Sequence, residues 1–86
     1  MNDILEKYNL DVINKIDEEN MIKIIKFLEQ EKCLFIKDIL EDYIDIFTIN
    51  FNEFIDKYNK LNIKYNNEYL KLASEDMNKL EELFYN

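Results

Sequence analysis

Asp17-Glu18-Glu19-Asn20-Met21-Ile22-Lys23-Ile24-Ile25-Lys26-Phe27-Leu28 is the stretch that decides how this chain folds. Asp17 can accept hydrogen bonds from the free N–H groups of a helix's first turn, and the acids behind it complement the positive end of the helix dipole. Met21, Ile24, Ile25 and Leu28 then recur at i, i+3, i+4 and i+7, which places apolar side chains on one face of an α-helix. The stretch therefore predicts a capped amphipathic helix from 18 to about 31.

The same spacing continues outward. Phe35 or Ile36, Ile39, Leu40, Tyr43, Ile46 and Phe47 predict a helix over about 34–47, with a break at Thr48, Ile49 and Asn50. Asn50 with Glu53 at i+3 is a capping-box variant that opens a helix through Phe51, Phe54, Ile55, Tyr58 and Leu61. A weaker break at Tyr65, Asn66 and Asn67 leads to a last helix with Tyr69 or Leu70, Ala73, Met77, Leu80 and Phe84 on one face. The segment from Met1 to Ile16 fits one or two short helices around Leu5, Tyr8, Val12 and Ile13. No run alternates as a strand does, and the hairpin turn residue Gly is missing altogether. The expected fold is all-α. Residues 1–86 form a single small domain of about five short helices, arranged as a helical bundle or as one-and-a-half to two stacked helical-repeat units.

A repeat underlies the second arrangement. Met21-Ile22…Ile25…Leu28 lines up with Phe54-Ile55…Tyr58…Leu61, so that Met21 falls on Phe54 and Leu28 on Leu61. Ile4-Leu5-Glu6-Lys7-Tyr8 recurs as Ile39-Leu40-Glu41-Asp42-Tyr43 at nearly the same interval, and more weakly as Ala73-Ser74-Glu75-Asp76-Met77 one interval further on. Spacings of this size arise when helix pairs each bury an apolar stripe on a neighbour.

Ile24-Ile25-Lys26-Phe27-Leu28, Ile36…Ile39-Leu40, Asp45-Ile46-Phe47-Thr48-Ile49 and Phe54-Ile55…Tyr58…Leu61 together resemble a repeat of the mitochondrial transcription termination factor type. Such repeats run helix, helix, short turn, and the resemblance covers residues 20 to about 65. They usually carry a Pro before the turn, where this chain has Tyr43 or Ile44, and a Gly after the first helix, where it has Gln30 to Lys32. The resemblance implies a curved helical solenoid that holds nucleic acid on a basic concave face.

Composition limits the chemistry. The chain has no Gly, Pro, His, Trp or Arg. Without His the commonest general acid/base and transition-metal ligand is missing, and without Gly there is no glycine-rich phosphate loop. Ser74 and Thr48 have no base to activate them, and Cys33 has only Lys32 as a basic neighbour, so it reads as a small core residue. The expectation is therefore no enzyme, no cofactor and no metal. Eleven Lys against 19 Asp plus Glu give a net charge of −8, a field that repels nucleic acid and attracts basic proteins. Heavy use of Asn, Ile, Lys and Tyr fits an AT-rich coding bias, which accounts for Lys in place of Arg. The lone Cys33, the absence of a signal-like N-terminus and a longest uncharged run of only Ile46 to Asn52 predict a soluble cytoplasmic protein with no membrane segment.

Two charged patterns are candidate sites. Asp38, Glu41, Asp42 and Asp45 fall at i, i+3, i+4 and i+7 on the predicted second helix, a row spaced like backbone phosphates that could occupy a basic groove. Glu29, Glu31, Glu75, Asp76, Glu81 and Glu82 could extend it. Lys57, Lys60 and Lys64 at i, i+3 and i+7, beside Tyr58 and Tyr65, form the alternative, a basic stripe for nucleic acid. The leading expectation is a small acidic non-enzymatic protein that binds a basic protein partner, inhibiting a nucleic-acid-binding protein in the manner of anti-CRISPR-type inhibitors from phage or mobile elements. It shares their size, charge and helicity. The alternatives are a helical-repeat nucleic-acid-binding module and a structural homo-oligomer, such as a homodimer joined through aromatic residues near Tyr65, Tyr69, Phe84 and Tyr85.

Overall fold

A computed structural model describes residues 7–8 and 17–84. It contains helices α1 (Glu18–Gln30), α2 (Ile36–Asp42), α3 (Phe51–Lys64) and α4 (Tyr69–Glu75). Two 3₁₀ helices accompany them, η1 (Ile44–Thr48) and η2 (Met77–Leu83), and no strand occurs among the described residues. The protein is all-α. Lys7 is helical and Tyr8 lies in a turn. The rest of the helical expectation for Met1 to Ile16 lies outside the described residues.

α1 forms as its sequence dictates. The Asp17 carboxylate accepts from the N–H groups of Glu19 at 3.0 Å and Asn20 at 3.3 Å, and Met21, Ile22, Ile24, Ile25 and Leu28 are buried. The helix expected over 34–47 is instead two elements. α2 stops at Asp42, Tyr43 turns out of the helix at φ −134°, and η1 begins at Ile44. The β-branched Ile44, Ile46, Thr48 and Ile49 lose side-chain freedom in a helix, and the Thr48 hydroxyl donates to the Asp45 carbonyl at 2.6 Å. The helix expected from Tyr69 to Phe84 is divided in the same way. The Ser74 hydroxyl donates to the Lys71 carbonyl, Asp76 leaves the helix at φ −144°, and its carboxylate caps η2 by accepting from the N–H of Asn78 at 3.1 Å.

These breaks reveal the repeat. α1 begins at Glu18 and α3 at Phe51, α2 at Ile36 and α4 at Tyr69, η1 at Ile44 and η2 at Met77, the same displacement along the sequence each time. Met21 and Phe54, Ile25 and Tyr58, Leu28 and Leu61, Ile36 and Tyr69, Leu40 and Ala73, and Phe47 and Leu80 are equivalent pairs buried at both members. The repeated unit is therefore α-helix, α-helix, 3₁₀ helix.

The chain divides into two compact units, residues 1–51 and 52–86. In the first, α1 packs on α2 and η1, and α2 packs on η1. Asn20 fastens this arrangement. Its amide nitrogen donates to the carbonyls of Phe47 at 3.2 Å and Ile49 at 2.7 Å, and its oxygen accepts the N–H of Phe51 at 2.8 Å. Phe27 meets Phe51 edge-on at 6.5 Å. In the second unit η2 packs on α4, and the aromatic rings form a chain: Phe54 stacks on Tyr58, Tyr58 meets Tyr69 edge-on at 6.0 Å, and Tyr65 stacks on Tyr69 at 5.9 Å. Tyr69, which the sequence left without a clear inward role, is fully buried, its hydroxyl donating to the Lys79 carbonyl at 2.7 Å. Phe84 is exposed, and Tyr85 lies outside the described residues.

Candidate functional site

The acidic candidate is placed by α2 and η1. Ile36, Ile39 and Leu40 bury one face of α2, which leaves Asp38, Glu41 and Asp42 exposed. At i, i+3 and i+4 these three are neighbours on the helix surface, roughly 5–6 Å apart at Cβ. Asp45 is also exposed, but on η1 and beyond the break at Tyr43. The expectation of four acids on one helix is corrected to three on α2 and one on η1. The cause is the early end of α2, which interrupts the helical period before Asp45.

These acids lie in a stretch of the chain without a lysine. Between Lys37 and Lys57 there is no lysine, and the interval holds Asp38, Glu41, Asp42, Asp45, Glu53 and Asp56. Four acids elsewhere are paired, Glu19 with Lys23 at 3.9 Å, Glu29 with Lys7 at 2.7 Å, Asp56 with Lys60 at 3.0 Å and Glu82 with Lys64 at 3.0 Å. Among the described residues no carboxylate of Asp38, Glu41, Asp42 or Asp45 makes an ion pair or a hydrogen bond. Nor do three carboxylate or thiol groups gather into a set able to hold a metal ion among the described residues.

The basic stripe is differently situated. Lys57 is half-buried, Lys60 is bound to Asp56, and Lys64 is bound to Glu82. Lys64 also lies over the Tyr65 ring at 5.1 Å, and its hydrogen bonds to Glu82 and Tyr65 raise its pKa. Two of the three lysines are thus engaged within the molecule.

A Lys-Tyr pair closing on a carboxylate occurs twice among the described residues and was not anticipated. Lys7 Nζ and the Tyr8 hydroxyl both donate to Glu29, at 2.7 and 2.9 Å. Lys64 Nζ and the Tyr65 hydroxyl both donate to Glu82, at 3.0 and 2.7 Å. The hydrogen bond from Lys7 holds the Glu29 carboxyl below the usual carboxylate range, and that from Tyr65 does the same for Glu82. Burial, helped by the bond to Glu29, pushes the Tyr8 hydroxyl up to about 12. The dipeptides Lys7-Tyr8 and Lys64-Tyr65 were the available signal, but the distant Glu partner is set only by folding. Cys33 is half-buried, and burial raises its thiol pKa, which leaves it protonated and unreactive at neutral pH.

No protein-family model matches the chain, and no curated protein or solved structure matches it. Among the described residues no helix is long and apolar enough to cross a membrane.

Proposed function

We propose that this protein is a non-enzymatic interaction protein that captures a basic protein partner through the acidic surface of α2 and η1. The observation that carries the reading is an internal comparison. The residues equivalent to Asp38, Glu41, Asp42 and Asp45 in the second repeat are Lys71, Ser74, Glu75 and Asn78, yet α4 and η2 form the same elements as α2 and η1. Building this helix and 3₁₀ helix therefore does not require four acids. Their net charge of −4 belongs to the first repeat's surface alone, and a field of that sign steers a basic partner into contact. An inhibitor that fills the positively charged groove of a nucleic-acid-binding protein, of the anti-CRISPR type, is the concrete form of this reading. The engagement of Lys60 and Lys64 by Asp56 and Glu82 weighs against the nucleic-acid alternative.

The test is capture from lysate of the source cell with the intact chain and with the variant Asp38→Asn, Glu41→Gln, Asp42→Asn, Asp45→Asn. The expected result is a basic protein retained by the first and lost by the second at unchanged helicity. Retention by both sinks the reading.

A further inference from the structure

We propose that Glu82 is a carboxylate latch: it fastens η2 to the end of α3, and neutralising this one side chain loosens the 3₁₀ helix and uncovers the apolar strip that η2 closes, while η1 keeps its place. A 3₁₀ helix has poor hydrogen-bond geometry and does not hold itself in place, so η2 depends on its fastenings. Glu82 and Tyr69 supply polar ones. Glu82 Oε1 accepts from Lys64 Nζ at 3.0 Å and Oε2 from the Tyr65 hydroxyl at 2.7 Å, which ties η2 to the last residue of α3 and the turn after it. The Tyr69 hydroxyl of α4 donates to the Lys79 carbonyl of η2 at 2.7 Å, and Lys79 Nζ lies 5.2 Å from the centre of the Tyr65 ring. Tyr69 and Ala73 of α4 and Leu80 and Leu83 of η2 are each 2% exposed or less, so they are the surface that opening would wet.

The groups facing Glu82 all favour its charged form. Lys64 closes the end of α3, Tyr65 donates from the turn, and Lys79 stands on η2 itself. Tyr69, buried on α4, is the other ionisable group that feels the carboxylate, and burial keeps its hydroxyl neutral. Protonation converts the acceptor of two hydrogen bonds into a neutral acid that attracts Lys64 far less. Because the folded-state pKa of Glu82 is lowered, its contribution is complete above the unfolded-state carboxylate value and is lost as pH falls through the folded value. The first repeat fastens η1 with the Asn20 amide, which does not titrate. Equivalent 3₁₀ helices thus carry one latch that responds to protons and one that does not.

Native-state hydrogen exchange of the full chain between pH 6 and pH 3 decides the matter, read as protection factors. The reporters for η2 are the N–H groups of Lys79 and Phe84, bonded to Asp76 and Glu81; those for η1 are Ile46 and Ile49, bonded to Tyr43 and Ile46. Protection at Lys79 and Phe84 should fall on the order of tenfold as Glu82 takes up a proton, the scale of a lost hydrogen bond to a charged group, while Ile46 and Ile49 hold theirs. Glu82→Gln should show the reduced value at both pH values. Wild-type protection of η2 in Glu82→Gln at pH 6, or joint loss in η1 and η2, overturns the proposal. Should Glu82→Gln fail to fold, Tyr65→Phe decides: a partial loss confined to η2 supports the latch, and no loss overturns it.

Discussion

Lys32, Asn66 and Asn67 sit at φ 62°, 58° and 65°, the left-handed conformations that a chain with glycine would assign to glycine. Both long helices end in the same way. The N–H of Cys33 reaches the Leu28 carbonyl and that of Lys32 the Glu29 carbonyl, and the N–H groups of Asn67 and Asn66 reach Asn62 and Ile63 in the same pattern. Asparagine tolerates this conformation, which is why Tyr65-Asn66-Asn67 could be read as a break. Lysine carries no such preference, so the position of Lys32 was invisible before folding. Lys32→Gly should therefore stabilise the protein by about 0.5–1 kcal/mol, seen as a rise of several degrees in the thermal midpoint. A second outcome belongs to Tyr8. Its folded pKa of about 12 lies above the unfolded value near 10, so its contribution is present below pH 10 and disappears as pH rises through the folded value. Absorbance of tyrosinate against pH should show Tyr8 and the buried Tyr69 ionising late, together with alkaline unfolding; six tyrosines titrating as one group near pH 10 would contradict it.

Among the elements, α1 and α3 were legible because apolar residues keep helical spacing over 13 and 14 residues with acids in the first turn, and in α1 the Asp17 cap agrees with them. Boundaries inside 34–47 and 69–84 were not, since apolar residues at i+3 and i+4 satisfy a continuous helix and a broken one equally well. Ser74-Glu75-Asp76 did carry a readable stop, short polar side chains that compete with the helix and cap the next element. Tyr43 carries none. The fastening of η1 by Asn20 was also hidden, because its partners lie 27 to 31 residues away. Asn20→Ala should cost roughly 2–3 kcal/mol, from three lost hydrogen bonds that leave partly buried backbone groups unpaired. Asn20→Asp should cost at least as much at neutral pH, because a carboxylate would face the Phe47 and Ile49 carbonyls. Urea unfolding measures both.

For the whole molecule, the internal repeat was visible in apolar spacing, since the alignment of Met21 with Phe54 is the displacement that the element boundaries show. The acidic site was visible as residues but not as geometry, because the count of charges cannot say which carboxylates find lysines. Folding pairs Glu19, Glu29, Asp56 and Glu82 and leaves the α2 and η1 acids to solvent. If those acids serve a partner and not the fold, the four-fold neutral variant should melt no lower than the parent, since a chain at −8 repels itself. A markedly lower midpoint would give them a structural duty.

Two near-copies of one pattern in a single chain also create a hazard during folding. The segment 36–48 could dock on α3, and 69–83 on α1, with α-helices of equal length and elements at the same spacing. Mismatched bulk guards against the exchange: Tyr69 would have to enter the space of Ile36, Ala73 would leave a void where Leu40 belongs, and Lys79 would bring an ammonium group to the buried site of Ile46. The differences between equivalent core positions would thus sort each segment to its own half.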